Sequence, residues 1–232
     1  MERPAFPDKS GRLFDKVGTV SIERAAERCK VAATPETDMS DSSAQFFALD
    51  QDEVQGAVFQ TELGWMACRW RGDRLEANTF GHSTRQAALQ SLGVEKRFEE
   101  LPKLARVPAG LRDLVKRLTR YATRFDDDFR DVPLDLDQLT DFRRRVTQRC
   151  REIDPGTTRG YADLARQCGS PQAARAVGTT MARNRFPLIV PCHRVVGANN
   201  HLGGYSAPQG LDMKRKLLAA EAAAAKSKPR SA

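Results

Sequence analysis

The pentapeptide Pro191-Cys192-His193-Arg194-Val195 is where residue types and spacing in this sequence could do chemistry. A thiol follows the apolar run Leu188-Ile189-Val190 at the point where Pro191 forces a turn, so its sulfur is expected to emerge from a rigid core into a cleft. The neighbouring imidazole of His193 can take its proton. Free thiols ionise at about pH 8.5, so attack at neutral pH needs a cationic or proton-accepting partner. Adjacent side chains rarely meet, which suggests a water between Cys192 and His193, and the imidazole would itself need an orienting carboxylate. Standing alone, most Cys-His dipeptides do nothing. Cys29, Cys68, Cys150 and Cys168 read as small buried apolar residues. Five cysteines without a Cys-x-x-Cys pair indicate neither a disulfide framework nor a zinc knuckle, and Cys29, Cys68 and His82 lack a convincing fourth partner, so no metal is expected.

A second chemical signal is Ser170-Pro171-Gln172-Ala173-Ala174-Arg175-Ala176-Val177-Gly178. Ser170 and Pro171 suit an N-cap and first helical position, for a helix reaching about Arg183. Its first turns expose nothing long except Gln172 and Arg175, whereas base-reading helices project several long polar side chains into the major groove. The smooth face suits a shallow, sequence-tolerant contact in which one arginine fills a base stack. Equally, the small residues could pack another helix and leave Arg175 solvated.

The elements that must position these groups come from 232 residues, more than one average domain and fewer than two large ones. Net charge is +8, and residues 141–221 hold 14 Lys/Arg against 6 Asp/Glu, so that segment carries the whole excess. A basic face confined to one segment suits a polyanion, or is simply solvated. No apolar run approaches a membrane span, and Met1-Glu2-Arg3-Pro4 does not open like a secretory signal, so the expected location is cytoplasmic, without a membrane partner.

Residues 1–50 read as an extension with one helix from Ser21 to Val31. Residues 51–134 read as an α+β domain. Gly56 to Glu62, Gly64 to Arg71 and Arg74 to Phe80 form a three-stranded antiparallel meander. A helix capped by Ser83 or Thr84 runs to Leu92, and another carries Leu111, Leu114, Val115, Leu118 and Ala122. The acidic stretch Phe125 to Asp131 and Pro133 read as a linker. Residues 135–222 form the second domain. A helix with the stripe Leu139, Phe142, Val146 and Cys150 is stopped by Asp154-Pro155-Gly156, and Arg159 to Gln167 pairs with the smooth helix as a helix-turn-helix. Leu188-Ile189-Val190 is an extended buried run. Val195-Val196 and Leu202 to Tyr205 make a hairpin wing around Gly197 to His201, and a helix from Leu211 to Ala220 precedes a frayed tail at residues 223–232.

Five motifs in order then carry a resemblance. They are Gly160-Tyr161-Ala162-Asp163-Leu164-Ala165; Ala174-Arg175-Ala176-Val177-Gly178 with Asn184; Ile189-Val190-Pro191-Cys192-His193-Arg194-Val195; Gly204-Tyr205-Ser206; and Leu217-Leu218 with Glu221. Together Phe142 to Glu221 resembles the active-site domain of the O6-alkylguanine-DNA alkyltransferases, suicide enzymes that repair methylated DNA. The meander around Gly64-Trp65 looks, less specifically, like that family's amino-terminal domain. The fold implied is α+β, a small ribonuclease H-like domain with an antiparallel sheet followed by a winged-helix active-site domain.

The resemblance implies a role for each matching position. Cys192 takes the alkyl group, His193 is the water-linked base, and Glu221 orients His193. Asn184 fixes the turn before the active-site segment, and Tyr161 donates to the departing guanine. Arg175 fills the vacated stack, while Gln172, Ala173, Ala174, Ala176 and Gly178 let the helix approach the minor groove. Tyr205 and Ser206 form a lid over the flipped base, whose exocyclic amine reaches the carbonyls of Val195 and Cys192. The implied partner is double-stranded DNA carrying O6-alkylguanine, with O4-alkylthymine a further candidate. The protein would act once, as a monomer, with no cofactor. Gly160 departs from the family, where a hydroxyl residue commonly precedes the tyrosine. Rival readings are a non-enzymatic damage sensor, disfavoured by the retained Cys192; a helix-turn-helix regulator, disfavoured by the smooth helix; and a cysteine hydrolase, whose usual signatures are missing.

Overall fold

The computed structural model describes residues 44–48, 54–94 and 107–227; the helix expected at Ser21 to Val31, and Cys29, lie outside them. Alternation of apolar residues builds a four-stranded antiparallel meander of β1 (Gln45–Ala48), β2 (Val54–Thr61), β3 (Gly64–Arg71) and β4 (Arg74–His82), in that order across the sheet. β1, which the sequence reading left in the extension, pairs with β2 from Gln45 opposite Val58 to Ala48 opposite Gln55. Gly64, at φ 96°, makes the β2–β3 turn that a side chain would strain.

Period-two alternation sends Ala57, Phe59, Met66, Cys68 and Trp70 to one face and Val58 and Ala67 to the other. The first face packs on α2 (Ala109–Arg124) through Leu111, Leu114, Val115 and Leu118, and the second on α1 (Arg85–Ser91) through Ala88 and Leu89. Thr84 caps α1, its Oγ1 accepting from Ala87 N at 3.1 Å.

The segment read as a linker is packed instead. Asp127 and Asp131 pair with Arg117 at 2.8 and 2.6 Å, so its acidity is answered by α2. Phe129 is wholly buried, and the Leu75 amide donates to Pro133 O at 2.8 Å. Arg151 closes the joint, one of its nitrogens donating to the carbonyls of Phe129, Arg130 and Val132, each at 2.8 Å.

The rest of the described chain consists of α3 (Asp141–Arg151), β5 (Arg159–Gly160), α4 (Tyr161–Gln167), α5 (Ala174–Ala182), β6 (Val195–Val196) and α6 (Gly210–Ser227). Val146 and Cys150 bury the stripe of α3, while Leu139 lies just ahead of the helix, whose N-cap is Thr140. α3, α4 and α5 pack on one another, with α4 and α5 as the helix-turn-helix.

Four local expectations are corrected. Ser170 and Pro171 belong to the turn between helices, since Ser170 N donates to Ala165 O and Ser170 O accepts from Ala173 N; α5 therefore starts at Ala174 with no side-chain cap. Leu188-Ile189-Val190 is buried but not extended: Leu188 has φ 73°, and the Val190 amide turns back to Phe186 O at 2.7 Å. The wing is a loop rather than a hairpin. β6 pairs in parallel with β5, and the buried ammonium of Lys214 bridges the Val195 and Leu202 carbonyls at 2.7 and 2.5 Å, where a hairpin would put ladder bonds. Finally, α6 runs through the expected frayed residues as far as Ser227. No helix among the described residues is long and apolar enough to cross a membrane.

Candidate active site

The turn carrying Cys192 is shaped from behind by Asn184. Its amide nitrogen donates to Val190 O at 2.8 Å and its side-chain oxygen accepts from Phe186 N at 3.0 Å, closing both ends of the curl. Cys192–Arg194 then form one 3-10 turn, with Arg194 N donating to Pro191 O at 2.9 Å. The meander clamps the same curl, since Asn78 on β4 donates from its backbone to Arg185 O at 2.9 Å and from its side chain to Pro187 O at 2.8 Å. Arg159 lies opposite Val195 and Gly160 opposite Val196, so the β5–β6 pair sets Tyr161 at the head of α4 beside the strand that follows Cys192.

Behind the thiol lies a buried chain of polar groups. His193 Nε2 is 2.9 Å from Glu221 Oε1, and both residues are wholly buried. Arg194, 1% exposed, sends its Nε to Glu221 Oε2 at 2.9 Å, one terminal nitrogen to Oε1 at 2.8 Å and the other to Ile153 O at 2.6 Å. The Tyr121 hydroxyl donates to Oε1 at 2.5 Å, and Gly156 N to Oε2 at 3.2 Å. Burial alone would raise the Glu221 carboxyl, but the hydrogen bonds and charges of His193 and Arg194 hold it well below the carboxylate range. Burial pushes His193 down and outweighs the pull of Glu221, leaving a neutral ring. With Nε2 donating to an ionised carboxylate, the basic lone pair sits on Nδ1, which is buried and has no protein partner among the described residues.

The thiol itself is covered. Cys192 is 5% exposed, so the expected emergence of its sulfur is not met; Asn184 lies near the sulfur, and Tyr205 is near enough to feel its charge. Burial pushes its ionisation up, opposed by Asn184 and the positive charge of Lys214. A cavity of about 780 Å³ opens alongside, lined by Tyr161, Ala174, Arg175, Gly178, Val196 and Asn200 among others. Tyr161 is half-buried there. Gly203, at φ 65°, passes so close that an added Cβ would lie 3.2 Å from the Tyr161 hydroxyl.

Arg175, Gln172 and Ala176 are exposed, while Ala173, Ala174 and Gly178 are half-buried. Tyr205 and Ser206 border a separate cavity of about 500 Å³ with Asn184. The carbonyl of Val195, expected to receive a base amine, already accepts from Lys214. Thus Cys192, His193, Glu221 and Asn184 converge on one core, Tyr161 and Arg175 share the adjoining cavity, and Gln172 and Ala176 lie on the outer face.

Residues 141–223 match the model of the 6-O-methylguanine DNA methyltransferase, DNA binding domain. A methylated-DNA–protein-cysteine methyltransferase of Mycolicibacterium paratuberculosis is 47% identical over 39% of this chain and 53% of its own length. One from Mycobacterium bovis is 43% identical over 49% of this chain and 67% of its own. The chain thus spans about half the length of the first of these relatives and two thirds of the second. The crystal structure of Mycobacterium tuberculosis OGT in complex with DNA superposes with a TM-score of 0.56 at 32% identity, over 72% of this chain and 92% of that one. The chain belongs to the methylated-DNA–protein-cysteine methyltransferase family.

For a member of this methyltransferase family, three residues of the core were not assigned by sequence. Arg194 stands in the sequence only as part of a motif, and neither Lys214 nor Tyr121 is singled out there; their bonds to Glu221, to two carbonyls and again to Glu221 give them places in the site. Helical spacing was the available signal, since Lys214, Leu217 and Glu221 fall on one buried stripe.

The ionisation pattern also sets an acid limit on stability. In the unfolded chain His193 and Glu221 bind protons near their ordinary values of 6.5 and 4.5, while folding lowers both. The unfolded state therefore holds more protons in acid, and stability is lost as pH falls, first below about 6.5 through His193 and then more steeply below about 4.5 through Glu221. Urea titrations across this range should show the midpoint falling in both windows; a midpoint flat below neutrality contradicts the buried neutral His193.

Proposed function

We propose that this protein is a direct-reversal DNA repair protein that moves the alkyl group of O6-alkylguanine in duplex DNA irreversibly onto its own Cys192. The single observation that carries this proposal is the buried His193–Glu221 pair, with His193 next in sequence to a thiol influenced by Asn184 and Lys214. An alkyl carbon on O6 is inaccessible within a duplex, so the nucleotide must rotate out, at a cost of a few kcal/mol. The small residues at the head of α5 suit a minor-groove approach, and Arg175 is positioned to enter the stack in place of the lost base. Gly203 to Ser206 would have to part from Tyr161 for the base to reach the covered sulfur.

The thiol proton passes to Nδ1 of His193, and the imidazolium formed is held by ionised Glu221. Cys192 Sγ then attacks the alkyl carbon in line, forming a carbon–sulfur bond while the carbon–O6 bond breaks and its electron pair stays with guanine. A proton from Tyr161 neutralises the departing ring. The product is a thioether that none of these groups can hydrolyse, so each molecule acts once. Because the substrate is chromosomal DNA, the reading assigns the protein to the cytoplasm.

The test is to incubate the full chain with duplex DNA carrying O6-methylguanine and weigh its peptides. One methyl on the Cys192 peptide alone is the expected result; an unmodified Cys192 with intact DNA binding favours the damage-sensor reading. A second expectation concerns Arg175→Ala. One lost cation–π contact of about 1–2 kcal/mol should slow repair in duplex about tenfold, while transfer from free O6-benzylguanine keeps its rate. Equal losses on both substrates would remove Arg175 from the flipping step.

A further inference from the structure

Tyr121 lies on α2, in the amino-terminal layer, yet its hydroxyl donates to Glu221 Oε1, the same oxygen that receives His193 Nε2. The residue is wholly buried, and its ring is gripped edge-on by Phe125 and Phe129, each with centroids 5.3 Å away. Both phenylalanines adopt left-handed backbone, at φ 54° and 53°, a conformation that bulky residues avoid unless the surroundings impose it. Phe129 is held there by its amide, which donates to Asp127 at 2.9 Å, and by the Arg117 guanidinium over its ring at 5.3 Å. A tyrosine that only needed a hydrogen-bond partner would not require such a clamp.

We infer that Tyr121 is a positioning residue through which the amino-terminal domain sets the strength of the Glu221–His193 contact and hence the readiness of Cys192 to ionise. The inference rests on the alkyl-transfer reading and adds to it a regulator outside the active-site domain. The groups around Glu221 make the direction computable. Arg194 engages both carboxylate oxygens, Gly156 N takes Oε2, and Tyr121 and His193 divide what remains of Oε1; Lys214, Tyr205, Cys150 and Cys192 complete the charged and titratable surroundings. A donor on Oε1 draws electron density from it and weakens its hold on an imidazolium. Removing the donor strengthens that hold but frees the carboxylate to rotate away from His193.

The test uses the full chain and O6-benzylguanine, following benzyl transfer to Cys192 by mass from acid to alkaline pH. Tyr121→Phe should lower the plateau rate about threefold to tenfold and move the acid-side midpoint up by about half a unit, with affinity for undamaged duplex DNA unchanged. Replacing Tyr121 with 3-fluorotyrosine keeps shape and packing while making the hydroxyl a stronger donor, so it should move the midpoint down with the plateau preserved. Opposite displacements in the two variants support the inference. Displacements of one sign, or none in either, overturn it, and should Tyr121→Phe not fold, the fluorinated protein decides alone, an unmoved midpoint overturning the idea. Wild-type protein that never labels Cys192 would instead sink the alkyl-transfer reading.

Discussion

Cys192→Ala should abolish transfer from O6-methylguanine duplexes completely, with no mass increment on any peptide and unchanged affinity for the DNA. The other described thiols offer no substitute. Cys68 and Cys150 are wholly buried and Cys168 nearly so, with burial driving Cys68 up to about 12, Cys150 well above the usual thiol range and Cys168 upward as well. The substitution removes a small side chain from behind a turn fixed by Asn184 and Asn78, so α5 keeps its place. Gel-shift titration beside peptide mass measurement checks both halves. Methyl transferred to another cysteine in the variant would mean that the sulfur does not depend on His193 and Glu221 for its reactivity.

The second large effect falls on stability as well as chemistry. Arg194→Met leaves Glu221 in the interior with its main counter-charge gone and the Ile153 carbonyl without its donor. Breaking a buried ion pair from one side costs about 3–5 kcal/mol. For a chain of this size that lowers Tm by about 10 °C. Transfer should also fall, because the carboxyl then gains a proton more easily and no longer supports an imidazolium. Arg194→Met combined with Glu221→Leu should recover much of the stability and none of the activity, since it removes the stranded charge together with the relay. Calorimetry on the single and double variants decides: equal melting temperatures in wild type and Arg194→Met would show that Glu221 does not depend on this pairing.

How much of this was legible in the sequence follows from the range of the interactions. Cys192 and His193 stand side by side in a five-residue block, and the core faces of α2 and α3 follow from apolar spacing. Period-two alternation gave three strands. β1 was missed because Gln45–Ala48 is four residues long, in a polar neighbourhood, and becomes a strand only by pairing with β2. The supposed linker misled through composition, since its aspartates find Arg117 on a helix already laid down. The wing failed because two successive asparagines, Asn199 and Asn200, take left-handed conformations and curl the chain, leaving β6 to pair with β5.

Tyr121 and Glu221 are a hundred residues apart. No local pattern joins them, although Tyr121 follows Leu118 by one helical turn on the stripe from which it was omitted. Arg194 could have been suspected on physical grounds, because a buried carboxylate asked to orient a histidine needs a cation to keep it ionised.

If Cys192 is consumed in a single transfer, as proposed, it must be protected from everything except its substrate. With 5% of Cys192 exposed and its ionisation pushed up by burial, the resting sulfur meets peroxide and small aqueous electrophiles mostly as an inert, hidden thiol. On the alkyl-transfer reading, only an event that opens the covering around Tyr205 uncovers it, so resistance to oxidation and selectivity for lesions would come from the same few side chains.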